Sequence, residues 1–267
     1  MKDYVCIVGL DEPEAVAIQE RLDEPSVAHI VLPKIMLRDG QLWAESDRGP
    51  KMLPISKVIY HGIYEDDMDF ISALALWGGP CLPNPRAMMD CRLKLPCLVR
   101  ALQYTRFGDQ RGYASPYVRY DTDFERIAKW GNWHCGENKE RFSGTWTAEQ
   151  PSIVERFIVG QAVRVVIIGD QYWQIRLEGD SWLKSIHHAD AAFMDVDREL
   201  LLDTQAVRAG FGMEIIANDY IVAEDGSKHL LEVNHIPNVT RFPEIWQAYQ
   251  DFAVAWARKI LVPGFSH

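Results

Sequence analysis

Two carboxylates and a carboxamide toward the C-terminal end have the residue types and spacing of an oxygen-only metal site. The stretch Asp219-Tyr-Ile-Val-Ala-Glu-Asp-Gly-Ser-Lys-His-Leu-Leu-Glu232-Val-Asn234 sets two apolar runs, 213–223 and 229–233, on either side of Asp225-Gly226. That dipeptide is a strong two-residue hairpin signal. With it as the turn, Glu224 pairs with Ser227, and counting outward sets Asp219 opposite Glu232. Asn234 lies two residues further on, so it points to the same side of the pleat. Three oxygen donors without Cys or His suit Mg²⁺, which completes its octahedron with water and substrate phosphates. The plain alternative is an exposed hairpin face carrying ordinary polar residues.

The elements that must position this hairpin alternate in type along the chain. Residues 4–8 read as a strand. Asp11 and Pro13 then supply a cap and a first-turn proline for a helix over 15–22. A second strand is expected at 28–32, an irregular or hairpin segment at 42–56 and a third strand at 57–61. A helix over 67–77 ends at Gly78-Gly79. This βαβαβ-like order predicts a parallel sheet. Val8-Gly9-Leu10 lacks the glycine-rich dinucleotide fingerprint. Asn84-Pro85-Arg86 opens a helical region broken at Pro96 and running to about 104. Residues 107–121 read as an irregular connection, and 124–130 as a strand entering the glycine-bearing loop Gly131–Gly136. Strands are expected at 152–158, 163–168 and 171–177. The acidic segment 195–204 leads to a helix near 205–210. Phe242, Ile245, Tyr249, Phe252, Trp256 and Ile260 give the closing segment 242–261 one apolar helical face.

Composition bounds the function classes. The 267 residues are 48% hydrophobic and 25% charged, ordinary for globular proteins and enough for two or three compact units. A net charge of −10 argues against nucleic acid or an anionic membrane as partner. It leaves room for an anionic ligand in a local cationic pocket. The five cysteines include no CxxC pair, which fits free thiols in a reducing compartment. No run reaches membrane-spanning length. The expected location is cytoplasmic.

Leu230-Leu-Glu232-Val-Asn234 with Pro237 resembles the metal-binding end of the ATP-grasp superfamily, and other segments fall in that family's order. Asn84-Pro-Arg-Ala-Met-Met-Asp-Cys-Arg-Leu-Lys94 resembles the entry to the ATP-binding region in the ribosomal-protein glutamate ligase and glutathione synthetase branch. Ile127-Ala-Lys129-Trp-Gly131-Asn-Trp-His134-Cys-Gly136 resembles the second lysine strand with its phosphate flap. Glu155-Arg156-Phe157-Ile158 is similar to the hinge that receives adenine. The resemblance implies an α/β (α+β) ATP-grasp fold with an N-terminal βαβ pre-ATP-grasp domain at 1–83, a small lysine-bearing subdomain at 84–158 and a metal-hairpin subdomain at 159–267. It implies ATP with two Mg²⁺ ions, or Mn²⁺, as cofactors. Lys94, Lys129, Gly131, His134, Gly136, the hinge and Lys184 would bind nucleotide, and Asp219, Glu232 and Asn234 would bind metal. Arg164 and Arg176 would act on the transferring phosphoryl group. The chain departs from the family pattern at Leu93, Trp130, Ala162, Ile186 and Asn238.

The physical demands agree. Polyphosphate charge needs fixed cations and metal, and a flap needs glycines so that backbone N–H groups approach phosphate oxygens. The expected activity is an ADP-forming carboxylate–amine or carboxylate–thiol ligase working through an acylphosphate. Its partners would be a small or peptide carboxylate and an amine-bearing acceptor. Dimers are frequent among proteins it resembles, so a homodimer is compatible. A non-catalytic nucleotide-binding module and a small-molecule kinase of the same fold are the alternatives.

Overall fold

A computed structural model describes residues 2–131 and 138–259. His134 and Gly136 therefore lie outside the described residues, as does Ile260. The first sheet is built from β1 (Tyr4–Val8), β2 (Ser26–His29), β3 (Ile35–Arg38), β4 (Gln41–Ser46), β5 (Gly49–Tyr60) and β6 (Cys81–Leu82). Its order is β2-β1-β5-β4-β3, with β6 also on β5. β1 is parallel to β2 and β5, and β5 to β6. The segment 42–56, expected to be irregular or a hairpin, holds the antiparallel β4-β5 pair, which β3 extends to a meander. The sheet is thus mixed, where the strand–helix alternation suggested a parallel one. Helix α1 (Glu12–Gln19) starts earlier than expected, because Asp11 and Glu14 form a capping box and Pro13 sits in the first turn. Helix α2 (Asp67–Trp77) ends at Gly78 in the left-handed conformation.

Two short helices follow, α3 (Pro85–Cys91) and α4 (Lys94–Ala101). The break falls at Arg92-Leu93 and not at Pro96. In α4 that proline occupies the third helical position, where an N–H has no intrahelical partner to lose. Both helices pack on the third sheet, since Ala87, Cys91, Cys97 and Ala101 share a core with Val163, Val165 and Val233. The second sheet comprises β7 (Gly112–Ala114), β8 (Arg119–Trp130), β9 (Lys139–Thr147) and β10 (Ser152–Arg156), in the order β7-β10-β8-β9. Strand β9 was not anticipated. It is an edge strand whose side chains are mostly exposed, so its sequence carries little apolar alternation.

The third sheet is antiparallel, with order β13-β12-β11-β14-β15. Its strands are β11 (Gly160–Ile168), β12 (Gln171–Arg176), β13 (Ala192–Met194), β14 (Ile215–Ala223) and β15 (Lys228–Asn234). Helix α5 (Arg198–Phe211) covers one face. It begins well before the expected 205, capped by Asp197, whose side chain accepts the N–H groups of Glu199 and Leu200. The other face packs against α6 (Pro243–Arg258), which also contacts the first sheet. Val5, Ile7 and Ile18 share a core with Ile245, Tyr249, Val166 and Ile175. One element therefore joins the first and third sheets and fixes how they meet. Among the described residues, no helix is long and apolar enough to cross a membrane.

Candidate functional site

The metal hairpin has the expected open end but reaches it by another route. Asp219 does face Glu232, and Ala217 faces Asn234. The turn, however, has three residues: the N–H of Ala223 donates to the carbonyl of Ser227, and that of Gly226 to the carbonyl of Ala223. Gly226 adopts φ +81°, the left-handed conformation that such a loop requires at its last position. This shifts the pairing by one, so Tyr220 faces Leu230. A bulge between Asp219 and Tyr220 shifts it back, with Leu231 as the extra residue. Leu231 and Glu232 consequently both line the cleft.

Arg164 on β11 lies directly opposite Asp219. The two form a bidentate pair, Nε to Oδ1 at 2.6 Å and Nη2 to Oδ2 at 2.8 Å. Burial alone would lower the arginine's pKa, but the charges of Asp219 and Glu232 and the hydrogen bonds to Asp219 hold it above its ordinary value. Asn234 Nδ2 approaches Asp219 Oδ2 at 3.4 Å. Asp219 and Asn234 are buried. Among the described residues no group of three or more His, Cys, Asp and Glu gathers, and beside the two carboxylates Asn234 offers an amide oxygen. An all-oxygen set on one sheet face fits Mg²⁺.

Arg176 is placed differently. It faces Val163 across β11–β12, and Val163 belongs to the core under α5. Arg176 therefore projects from the face opposite Arg164, 44% exposed, with Nε 2.9 Å from Glu178. Lys184 is exposed and donates to the carbonyl of Gly179 at 3.0 Å. It nevertheless lines both chambers described below.

The second sheet brings lysines over the hairpin. Lys129, at the end of β8, faces Lys139, at the start of β9. Lys139 was not singled out from the sequence, although it follows the glycine loop on the returning strand and lies 4.0 Å from Glu232. Burial and the neighbouring charge of Lys129 lower its pKa, against the pull of Glu232, Asp219 and Glu155. Lys129 pairs with Glu155 Oε1. Gly131 opens the loop at φ +70°. Lys94 and Lys129 line a third, apolar recess with Cys97 and Val233.

Two chambers meet at Lys139, Lys184, Asp219 and Glu232. One, of about 570 Å³, runs along the hinge residues Glu155, Arg156, Phe157 and Ile158 to Leu231 and Trp182. The N–H of Phe157 already donates to the carbonyl of Glu125 at 3.0 Å, and the Arg141 guanidinium sits 3.8 Å above its ring. The other chamber, of about 440 Å³, is bounded by Arg164 and Asn234, by Asp11 and His61 of the first sheet's loops, and by Glu14 in the first turn of α1. These loops leave the carboxyl ends of β1 and β5, where open α/β sheets bind ligands. Burial against Tyr249 lowers the pKa of His61 to about 4, so its ring is neutral at pH 7. His187 also lines this chamber.

The sequence matches no protein-family model and no curated protein. Solved structures do match. The ATP-grasp ligase PsnB, complexed with its minimal precursor, is 14% identical with TM-score 0.64, covering 97% of this chain and 100% of PsnB. Another structure of PsnB holds Mg and ADP as well. D-alanyl-alanine synthetase A from Vibrio cholerae is 13% identical, also with TM-score 0.64, over 96% of this chain and 97% of that one. The macrocyclase MdnC from Microcystis aeruginosa, bound with precursor peptide MdnA, is 14% identical with TM-score 0.60, over 94% and 99%. Matched nearly end to end at such low identity, the chain shares architecture with these proteins and little sequence: it has the ATP-grasp fold.

Proposed function

We propose that this protein is an ATP-dependent, ADP-forming carboxylate–amine ligase acting in the cytoplasm, with residues 1–83, 84–158 and 159–267 as its three units. The observation that carries this reading is the meeting of two chambers at one polar cluster. Asp219, Glu232 and Asn234 supply oxygen donors there, and Arg164, Lys129 and Lys139 supply fixed cations. The chamber along the hinge is shaped for adenine and ribose, with Leu231 as an apolar surface. Phe157's N–H being engaged, the adenine hydrogen bonds fall to other backbone groups of the hinge. Lys94, Lys129 and the flap hold phosphates. Asp219, Glu232 and Asn234 would hold Mg²⁺, which would supply neutralisation of phosphate charge.

The second chamber holds the reacting partners beside the γ-phosphate. A substrate carboxylate oxygen bonds to the γ-phosphorus as the bond to the β–γ bridging oxygen breaks, giving an acylphosphate and ADP. An amine nitrogen then bonds to the acyl carbon. Phosphate leaves with the electron pair, and the nitrogen's proton passes to solvent. Arg164 and Lys184 would orient the carboxylate and stabilise developing negative charge. Asp11 and Glu14 are suited to an ammonium group. Arg176, on the far face of the sheet, drops out of the catalytic set.

ADP release and hydroxylamine trapping test the reaction together. A panel of amino acids, short peptides and small acids should include one that stimulates ADP release and yields a hydroxamate. ADP release without hydroxamate would point to a hydroxyl acceptor and a kinase. Nucleotide binding without turnover across a broad panel would favour a non-catalytic module.

Lys139 gives a pH signature. Its lowered pKa means it loses its proton earlier on alkaline titration than an ordinary lysine, and an arriving polyphosphate favours the charged form. Nucleotide affinity should therefore fall as pH rises through that lowered pKa, with proton uptake on binding there. Calorimetry in buffers of differing ionisation enthalpy reads the uptake. In Lys139→Met the uptake should vanish; its persistence would assign the proton to another group.

A further inference from the structure

Arg111 lies in the connection preceding β7, outside every segment that resembles a nucleotide-binding motif. Its side chain is 8% exposed and touches both halves of the cleft. Nη2 donates to the carbonyl of Leu230 on the metal hairpin at 2.6 Å. Nε lies 3.2 Å from Glu155 Oε2 on β10. Nη1 lies 3.6 Å from Asp109 Oδ2, whose carboxylate also meets His229 Nδ1 at 2.6 Å. Glu155, 3% exposed, takes Arg111 on one oxygen and Lys129 on the other. Its carboxylate therefore acts as a shared counter-charge and is not presented to a ribose hydroxyl.

We infer that Arg111 is a positioning residue that frees Lys129 for the nucleotide. The inference rests on the cleft binding ATP. In the structure Lys129 is held by Glu155, so contact with a phosphate oxygen requires that ion pair to be loosened or shared. A carboxylate buried to this degree is costly to leave without a cation. Arg111 removes that obstacle, because it stays on Oε2 while Lys129 moves. Without Arg111's charge, Lys129 would carry more of the Glu155 counter-charge, with Lys139 acting on that carboxylate through its charge alone, and nucleotide phosphate would have to compete for Lys129. The same side chain anchors Leu230, next to the bulge that turns Leu231 and Glu232 into the cleft. The lysine's counter-charge and the metal hairpin are thus tied to one guanidinium.

Calorimetry of the full chain with Mg²⁺ and a non-hydrolysable ATP analogue tests this. Arg111→Gln keeps an N–H donor for Leu230 and removes the charge. It should weaken binding by about ten- to a hundredfold, the range for depriving a buried charged group of a partner. Arg111→Lys, which keeps the charge but not the fork that reaches Leu230, Glu155 and Asp109 together, should bind more tightly than Arg111→Gln. Adding Glu155→Gln to Arg111→Gln should restore most of the lost affinity, because the grip on Lys129 is gone. A merely structural arginine would make the second substitution additive or worse. Should Arg111→Gln fail to fold, the Glu155→Gln protein and the double variant are compared instead. With Glu155 neutral the arginine's charge no longer bears on Lys129, and only its pair with Asp109 remains, so the two should bind alike, and a tenfold gap would overturn the inference. Wild-type affinity in a folded Arg111→Gln would overturn it as well. No binding by folded wild type would instead overturn the nucleotide reading on which it rests.

Discussion

Glu232→Gln is expected to abolish Mg²⁺-dependent nucleotide binding and to lower ADP formation by about 10²–10³-fold. The substitution keeps the side chain's shape and replaces a charged oxygen donor by an amide. The cation loses one of two carboxylates, and Lys139, 4.0 Å away, loses a counter-charge beside Lys129. Glu232 is 15% exposed, so an amide there can reach water and the fold should tolerate it. Calorimetry with and without Mg²⁺ reads the first effect, and a thermal melt shows that the variant is folded. Metal-dependent binding as tight as wild type in that variant would remove Glu232 from the site.

Arg164→Met should destabilise the protein by about 3–5 kcal/mol, because it strands Asp219 in a nearly buried position without its bidentate partner. The pair is 13% and 12% exposed, so solvent does little to relieve the carboxylate. Adding Asp219→Asn should recover much of that stability, since a neutral amide replaces the stranded charge. Activity should not return with it, because under the proposed mechanism the double variant lacks one of the cation's two charged donors and the arginine that would stabilise developing charge. Chemical denaturation measures the stability and the ADP assay the activity. A single variant within 1 kcal/mol of wild type, on the scale of an exposed ion pair, would show that the pair contributes little.

What could be read from the sequence depended on how locally each feature was determined. Helix α2 and strands β1 and β12 were legible because their apolar patterns and glycine stops lie within a few residues. The pairing of Asp219 with Glu232 was anticipated from a two-residue turn that does not form: the three-residue loop and the bulge at Leu231 cancel, so the two face each other for a reason that parity along the hairpin did not carry. Arg176 misled because its parity is set against β11: pairing with Val163 instead of Arg164 sends it to the other face. Strand β9 has only Phe142 buried, so its hairpin with β8 left no alternation to read, and Lys139 went unnoticed with it. The first two turns of α5 were masked by acidic residues, although Asp197 was a legible cap. Arg111 was invisible for a deeper reason. Its partners Glu155 and Leu230 lie 44 and 119 residues away, and no local pattern encodes such a meeting.

The compensated hairpin separates two jobs that a simple ribbon would combine. Pairing near the tip is dictated by the loop through Gly226, whereas pairing near the ligands is dictated by β11, which aligns Arg164 with Asp219. The bulge at Leu231 works as a mechanical slip joint between these two registrations. A residue gained or lost at the tip can be absorbed there without rotating the carboxylates out of the cleft. The turn is thereby free to drift over evolutionary time, or to be re-engineered as an attachment point, while the ligand geometry stays indexed to the sheet interior.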